Sequence, residues 1–183
     1  MIGPDGRYVG SDIHVPSIRW CRSRFRGDAR LRFEVADAGA GALPVAAGQA
    51  DLVLAKSLFT HLTEEEAGGC LAEIRRALAP GGTALITAFL FDGSAGAAAA
   101  SAFFPFGNAD GSSRWRWKAR PRSAIAFDRS RFEALVSRAG LEVRELLPGF
   151  WPGAAEPSGQ DILLVGYTDG AAAPVSRAAP QTP

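Results

Sequence analysis

The sequence predicts an α/β fold, a doubly wound and mainly parallel sheet. Short apolar runs alternate with amphipathic helical stretches, two of those stretches open on Thr/Ser-x-x-Glu signals, and acidic residues close the first two apolar runs. At 183 residues the chain can bury one sizeable core. Apolar residues make up 47% and charged residues 21%, a globular composition, and a net charge of +1 favours neither nucleic acid nor a membrane surface.

Arg7 to Ser11 (RYVGS) reads as a short strand closed by Asp12. Pro16 suits the first turn of a helix, where its missing N–H costs nothing, and Ile18, Cys21 and Phe25 follow at helical spacing as one buried face. Leu31 to Ala36 (LRFEVA) alternates like a strand and ends at Asp37. Asp51 to Lys56 (DLVLAK) holds an LVLA run that predicts a strand buried on both faces. Thr63 and Glu66 form a capping box for a helix whose stripe is Leu71, Ile74 and Leu78, stopped by Pro80-Gly81-Gly82. TALITAFLF is another buried strand. Ser130 and Glu133 predict a second capping box, before a face of Phe132, Leu135, Val136 and Ala139 and a stop at Gly140. Leu141 to Leu147 reads as an edge strand and Gln160 to Tyr167 (QDILLVGY) as the last strand. The tail from Gly170 is rich in Ala and Pro and is expected to be disordered. The organisation is therefore one domain over 1–169, with an insertion at 93–123, and a tail at 170–183.

Cys21 and Cys70 fit no metal-ligand spacing and predict inert thiols on helix faces. Glu64-Glu65-Glu66 is an acidic first turn that complements the helix dipole rather than a metal cluster, so no metal is expected. From Met1 onward no basic-then-apolar secretory pattern is visible. The longest apolar run, Ala84 to Phe91, is far short of the ~20 residues that span a bilayer. These features predict a cytoplasmic protein with no membrane or nucleic-acid partner.

Ligands of such sheets sit off the carboxyl ends of the strands. Asp12, Asp37 and the Lys56–His61 segment all fall there. With YVGSDIHVPSIRWC, RFEVADA and ADLVLAKSLFTHLTEEEAGGCLAEIRRALAPGGTALIT, the chain from Gly3 to Tyr167 resembles the class I S-adenosylmethionine-dependent methyltransferases. The resemblance implies their Rossmann-like fold with an antiparallel last strand, S-adenosyl-L-methionine as cofactor, and methyl transfer to an O, N or C nucleophile of a small molecule. It implies that Asp12 accepts from the ribose hydroxyls, that Ile13 packs on adenine, and that Asp37 and the Ala38 N–H meet the adenine edge. It further implies that the backbone of Lys56, Ser57 and Leu58 underlies the methionine moiety. Phe59, His61, Trp115 and Trp117 would face the acceptor, under a cover formed by 93–123.

The family's first strand and its D-x-G-x-G-x-G loop are not found before Gly3. Asp37-Ala-Gly39-Ala-Gly41 imitates the loop, but Leu43 stands at the third glycine position and Pro44 follows. The resemblance therefore predicts a sheet missing its first central strand, with the functional polypeptide starting ~30–60 residues earlier, a length taken from βα-unit sizes. His61 is a candidate general base or a loop or cap residue, and His14 a capping or solvent-facing one. Arg114 to Lys118 (RWRWK) reads as an amphipathic strand or lid lining an acceptor pocket, or as a base-stacking surface. Phe103, Phe104 and Phe106 are expected to pack this flap onto the domain. The competing class is a non-catalytic interaction module that uses exposed strand edges, including for a homodimer. A nicotinamide-dependent reductase lacks the Y-x-x-x-K pair.

Overall fold

A computed structural model describes residues 3–93, 106–110, 113–149 and 159–168. The expectations for Phe103, Phe104 and the tail at 170–183 lie outside the described residues. Local signals place the first elements. β1 (Tyr8–Asp12) leads into α1 (Val15–Arg24), with Pro16 in its first turn, and then into β2 (Leu31–Val35). β3 (Ala50–Ala55) is followed by α2 (Glu64–Ala77), whose N-terminus carries the predicted capping box. Thr63 Oγ1 accepts from the Glu66 N–H at 3.3 Å, while Glu66 Oε2 accepts from the Thr63 N–H at 2.9 Å. The chain continues through β4 (Leu78–Phe91), β5 (Asn108–Asp110), β6 (Ser113–Trp117), β7 (Arg120–Asp128), α3 (Arg129–Arg138), β8 (Leu141–Leu147) and β9 (Asp161–Tyr167).

β4 is the centre of the main sheet. It pairs parallel to β3 on one side and antiparallel to β9 on the other, and its last residues, Phe89 to Phe91, pair parallel to β7. β8 lies on the edge against β9, as its alternation predicted, and β5 and β6 extend the opposite side as an antiparallel ribbon. β1 and β2 stand apart as a parallel pair. Among the described residues, β1 and β3 each keep one unpaired edge. The loop between β2 and β3 is pinned to α2: Arg76 donates to the carbonyls of Val45 (2.9 Å) and Leu43 (3.1 Å), and Glu73 accepts from the Leu43 N–H at 3.1 Å.

The core is built on α2, α3 and one face of the sheet. Phe59, Leu71, Ile74, Ile86, Phe132 and Leu163 have at most 1% of their surface exposed. A second cluster of Phe89, Phe91, Phe106, Ala124 and Ala126 lies under the β6–β7 ribbon.

Four expectations are corrected. β3 is covered on one face only: Val53 and Ala55 face the core, but Leu52 and Leu54 are 66% and 63% exposed, because no described helix lies over them. The helix after Thr63 stops at Ala77, not at Pro80. Leu78 is drawn into extended backbone by pairing with Ala50, so β4 runs straight through Pro80-Gly81-Gly82. The cap of α3 is Asp128, which accepts from the Arg131 N–H at 3.3 Å, whereas Ser130 donates its hydroxyl to Asp128 at 2.5 Å. Of the α1 face only Ile18 is buried. Phe25 is 37% exposed and stacks on Phe33 of β2, with ring centroids 5.6 Å apart.

Cys70 is fully buried in α2, and burial pushes its thiol up to about 12, with Glu73 adding in the same direction; Cys21 is half-buried. Only a thiolate alkylates at an appreciable rate. Iodoacetamide at pH 8 is expected to add one label to the native chain, at Cys21, and two in urea, as read by peptide mass spectrometry. Native labelling of Cys70 would contradict the packing of α2. Among the described residues no helix is long and apolar enough to cross a membrane.

Candidate functional site

Parallel pairing decides which acidic residues meet. Asp12 pairs in register with Val35, and the Ala36 N–H donates to the Asp12 carbonyl at 3.2 Å. Asp37 therefore stands one step further along the same rim. Both carboxylates are exposed and similarly held. Asp12 Oδ1 accepts from the His14 N–H at 2.7 Å, and Asp37 Oδ1 accepts from the N–H groups of Gly39 and Ala40 at 2.9 and 3.3 Å. Each thus has one oxygen fixed by its own backbone and a second, Oδ2, with no partner among the described residues. The Ala38 N–H takes no part in these bonds, and Ile13 beside Asp12 is 66% exposed. His14 caps α1 by position, and its Nδ1 lies 2.7 Å from Ser17 Oγ. The glycine-loop imitation is a short 3-10 turn, Ala38–Ala40, with Asp37 as its cap.

At the end of β3, exposed Lys56 leads to Ser57, whose φ of 56° is the one positive value outside glycine among the described residues. Such backbone costs ~1–3 kcal/mol and persists only where neighbours over-determine it. Here they do. The Ser57 N–H donates to Thr87 Oγ1 at 2.7 Å, Gln160 Nε2 donates to Ser57 Oγ at 3.0 Å, and Thr87 Oγ1 donates to Gln160 Oε1 at 2.5 Å. Thr87 and Gln160 carry no local sequence signal. They reach the site only because β9 pairs with β4.

His61 is exposed, and its Nδ1 lies 2.7 Å from the Arg122 carbonyl. A carbonyl only accepts, so Nδ1 carries the proton and a neutral ring leaves Nε2 as a base. The other expected acceptor contacts divide. Phe59 is a correction: it is 0% exposed and packs edge-on against Phe132 at 5.4 Å, which makes it core. Trp117 is 54% exposed beside the turn of the β6–β7 hairpin, with the Arg116 guanidinium 4.8 Å above its ring. Trp115 lines a cleft of about 1340 Å³, bounded by β6, β7 and the first turns of α2 and α3. The His61–Arg122 bond ties the turn before α2 to the β7 wall of this cleft. Glu64 and Glu66 are committed to Arg131 (2.9 Å) and Arg122 (2.8 Å). Among the described residues no three His, Cys, Asp or Glu side chains gather as a metal site.

The rim fits the adenosine half of S-adenosylmethionine. It offers two free carboxylate oxygens for hydroxyl and amino donors, a bare apolar residue beside them, and a free backbone N–H. Among the described residues it offers no glycine-rich loop for the methionine carboxylate.

A family model described as "Methyltransferase domain" matches residues 1–82. A TehB-like SAM-dependent methyltransferase from Corynebacterium glutamicum superposes with a TM-score of 0.53 at 18% identity, over 87% of this chain and 66% of that one. An O-methyltransferase from neocarzinostatin biosynthesis, solved with S-adenosyl-L-homocysteine and 1,4-dihydroxy-2-naphthoic acid, gives 0.56 at 14% identity, over 88% and 42%. The [4+2]-cyclase SpnF gives 0.55 at 18% identity, over 78% and 44%. The chain thus spans 66%, 42% and 44% of the lengths of these three proteins. Residues 1–82 are thus similar to the methyltransferase domain, and the described residues share the Rossmann-like fold of these solved structures.

Proposed function

We propose that the chain takes part in methyl transfer from S-adenosyl-L-methionine to an O, N or C nucleophile of a small molecule. The carrying observation is the pair Asp12 and Asp37 on adjacent parallel strands, each with one oxygen fixed and one free. When bound, the cofactor supplies an electrophilic methyl on a sulfonium. In this reading Asp12 and Asp37 hold the adenosine, Ile13 and the Ala38 N–H orient the base, and the Lys56–Ser57 backbone underlies the methionine moiety. Catalysis then needs little beyond alignment of the acceptor with the methyl. His61, with Nε2 free, takes a proton from the acceptor where one must leave. Trp115, which lines the cleft, faces the acceptor. In this reading the edges of β1 and β3, unpaired among the described residues, and the bare Leu52 and Leu54 would take one further strand such as the family's first.

Titration calorimetry with S-adenosylhomocysteine tests this reading. Charge-assisted bonds to a removed carboxylate are worth ~1.5–3 kcal/mol, so Asp12→Ala is expected to weaken binding about tenfold to a hundredfold with the circular dichroism spectrum unchanged. Equal binding by the variant would remove Asp12 from the site. The same free edges support a second reading, a non-catalytic module that pairs through them as a homodimer. A folded, dimeric chain that binds no S-adenosylhomocysteine would favour it. The cyclase SpnF, on a similar fold, illustrates that the fold alone does not decide the reaction.

A further inference from the structure

We propose that Thr87 and Gln160 are positioning residues: they lock Ser57 into its left-handed turn, and the locked turn sets the grip on the amino-acid end of the cofactor. The second clause rests on the methyl-transfer reading; the first does not.

The last register pair of β3 and β4 is Ala55 with Ile86, and there the two backbones part. One step further along β4, the side chain of Thr87 takes over from the ladder, and its Oγ1 accepts from the Ser57 N–H at 2.7 Å. The Thr87 hydroxyl in turn donates to Gln160 Oε1 at 2.5 Å, and Gln160 Nε2 donates back to Ser57 Oγ at 3.0 Å. These three hydrogen bonds close a ring. The Ser57 carbonyl is held separately, accepting from Thr60 Oγ1 at 2.8 Å. All three polar groups of Ser57 are thus engaged. Thr60 and Thr87 are 2% and 8% exposed, so water competes little for their bonds.

A left-handed turn by itself calls only for glycine, which adopts it without steric cost but leaves it flexible. The chain holds 21 glycines, yet this turn carries a serine at φ 56°, built into partners from β4 and from the residue that precedes β9. Strain held in this way fixes one backbone conformation before any ligand arrives, which lowers the ordering cost of binding. The segment that gains is Lys56 to Leu58 at the carboxyl end of β3, where exposed Lys56 and half-buried Leu58 flank the locked residue. Without the ring, Ser57 relaxes to negative φ and the competent turn becomes a minor conformer. Apparent affinity then falls with the competent fraction. The loss is confined to the amino-acid end, because Asp12 and Asp37 belong to β1 and β2 and are held by their own backbone bonds.

The test uses the full chain and two ligands, S-adenosylhomocysteine and 5′-methylthioadenosine, which lacks the amino-acid end. Calorimetry gives both affinities, and 1H–15N spectra give the exchange rate of the Ser57 amide in the free chain. Thr87→Val is expected to weaken S-adenosylhomocysteine about tenfold, to change 5′-methylthioadenosine less than about twofold, and to speed Ser57 exchange at least about tenfold. Thr87→Ser, which keeps the hydroxyl, is expected to restore all three values. Gln160→Leu opens the ring at its half-buried member and is expected to give the same selective loss, so the test stands even where Thr87→Val fails to fold. Equal weakening of the two ligands would reduce Thr87 and Gln160 to a general structural role, and unchanged S-adenosylhomocysteine binding would overturn the positioning role outright. Unchanged Ser57 exchange in Thr87→Val would overturn the lock. A wild type that binds neither ligand removes the methyl-transfer reading and the positioning role with it; a wild type that binds both, with selectivity untouched by the variants, removes the positioning role alone.

Discussion

Asp161→Ala is expected to lower stability by about 2–6 kcal/mol, at ~1–3 kcal/mol for each of two buried N–H groups left without an acceptor. The Asp161 residue is 1% exposed. Its Oδ2 accepts from the Leu90 N–H at 2.8 Å and its Oδ1 from the Gly149 N–H at 2.9 Å. It therefore ties the carboxyl end of β4, beside the candidate site, to the segment that follows β8. The approach is tight enough to require glycine, since a Cβ on Gly149 would lie 2.5 Å from the Gln160 carbonyl carbon. Asp161→Asn keeps one acceptor and turns an NH₂ toward the other donor, so about half the loss is expected. Urea midpoints for the three proteins check the order. An unchanged midpoint for the alanine variant would mean that water reaches both N–H groups. Because Asp161 adjoins Gln160, which helps hold Ser57, the alanine variant is also expected to weaken S-adenosylhomocysteine binding more than its stability loss predicts at saturating fold.

Phe132→Ala is expected to cost about 3–5 kcal/mol, the range for a fully buried aromatic ring whose site collapses only in part. Phe132 of α3 is 0% exposed and lies 5.4 Å from Phe59 and 5.3 Å from Phe127, centroid to centroid. Its ring thus joins α3 to the turn before α2 and to β7. Domains of this size hold ~5–15 kcal/mol in total, so the variant is expected to be partly unfolded at room temperature, as read by near-ultraviolet circular dichroism. Phe132→Leu keeps most of the volume and is expected to lose less than half as much. Equal losses for the two would mean that the aromatic contacts with Phe59 and Phe127 carry the stability rather than the filled volume.

What was readable ahead of the structure was short-range. The Thr63–Glu66 capping box, Pro16 in the first turn of α1, the stop at Gly140 with φ 75° and the edge alternation of Leu141 to Leu147 each depend on residues within one turn or one strand. Where two local signals compete, the reading slips. Asp128 and Ser130 are both good caps, and the one nearer the strand end holds α3. The LVLA run in β3 is apolar on both faces, but periodicity says only that a face suits burial, not that anything covers it. Phe59 followed a strand end, where a ring can face either solvent or core, and its partner Phe132 is far away in the chain.

The sequence by itself determined the alternation of strands and helices, the family resemblance, and the presence of acidic residues at the ends of β1 and β2, because each is a matter of neighbouring residue types. Only the tertiary structure decided that Thr87 and Gln160 clamp Ser57 and that Trp115 rather than Phe59 or Trp117 lines the cleft. Those facts follow from strand register and helix packing, which set distances between residues up to 103 positions apart. Such distances are fixed by the burial of the whole core, and no local stretch of chain encodes them.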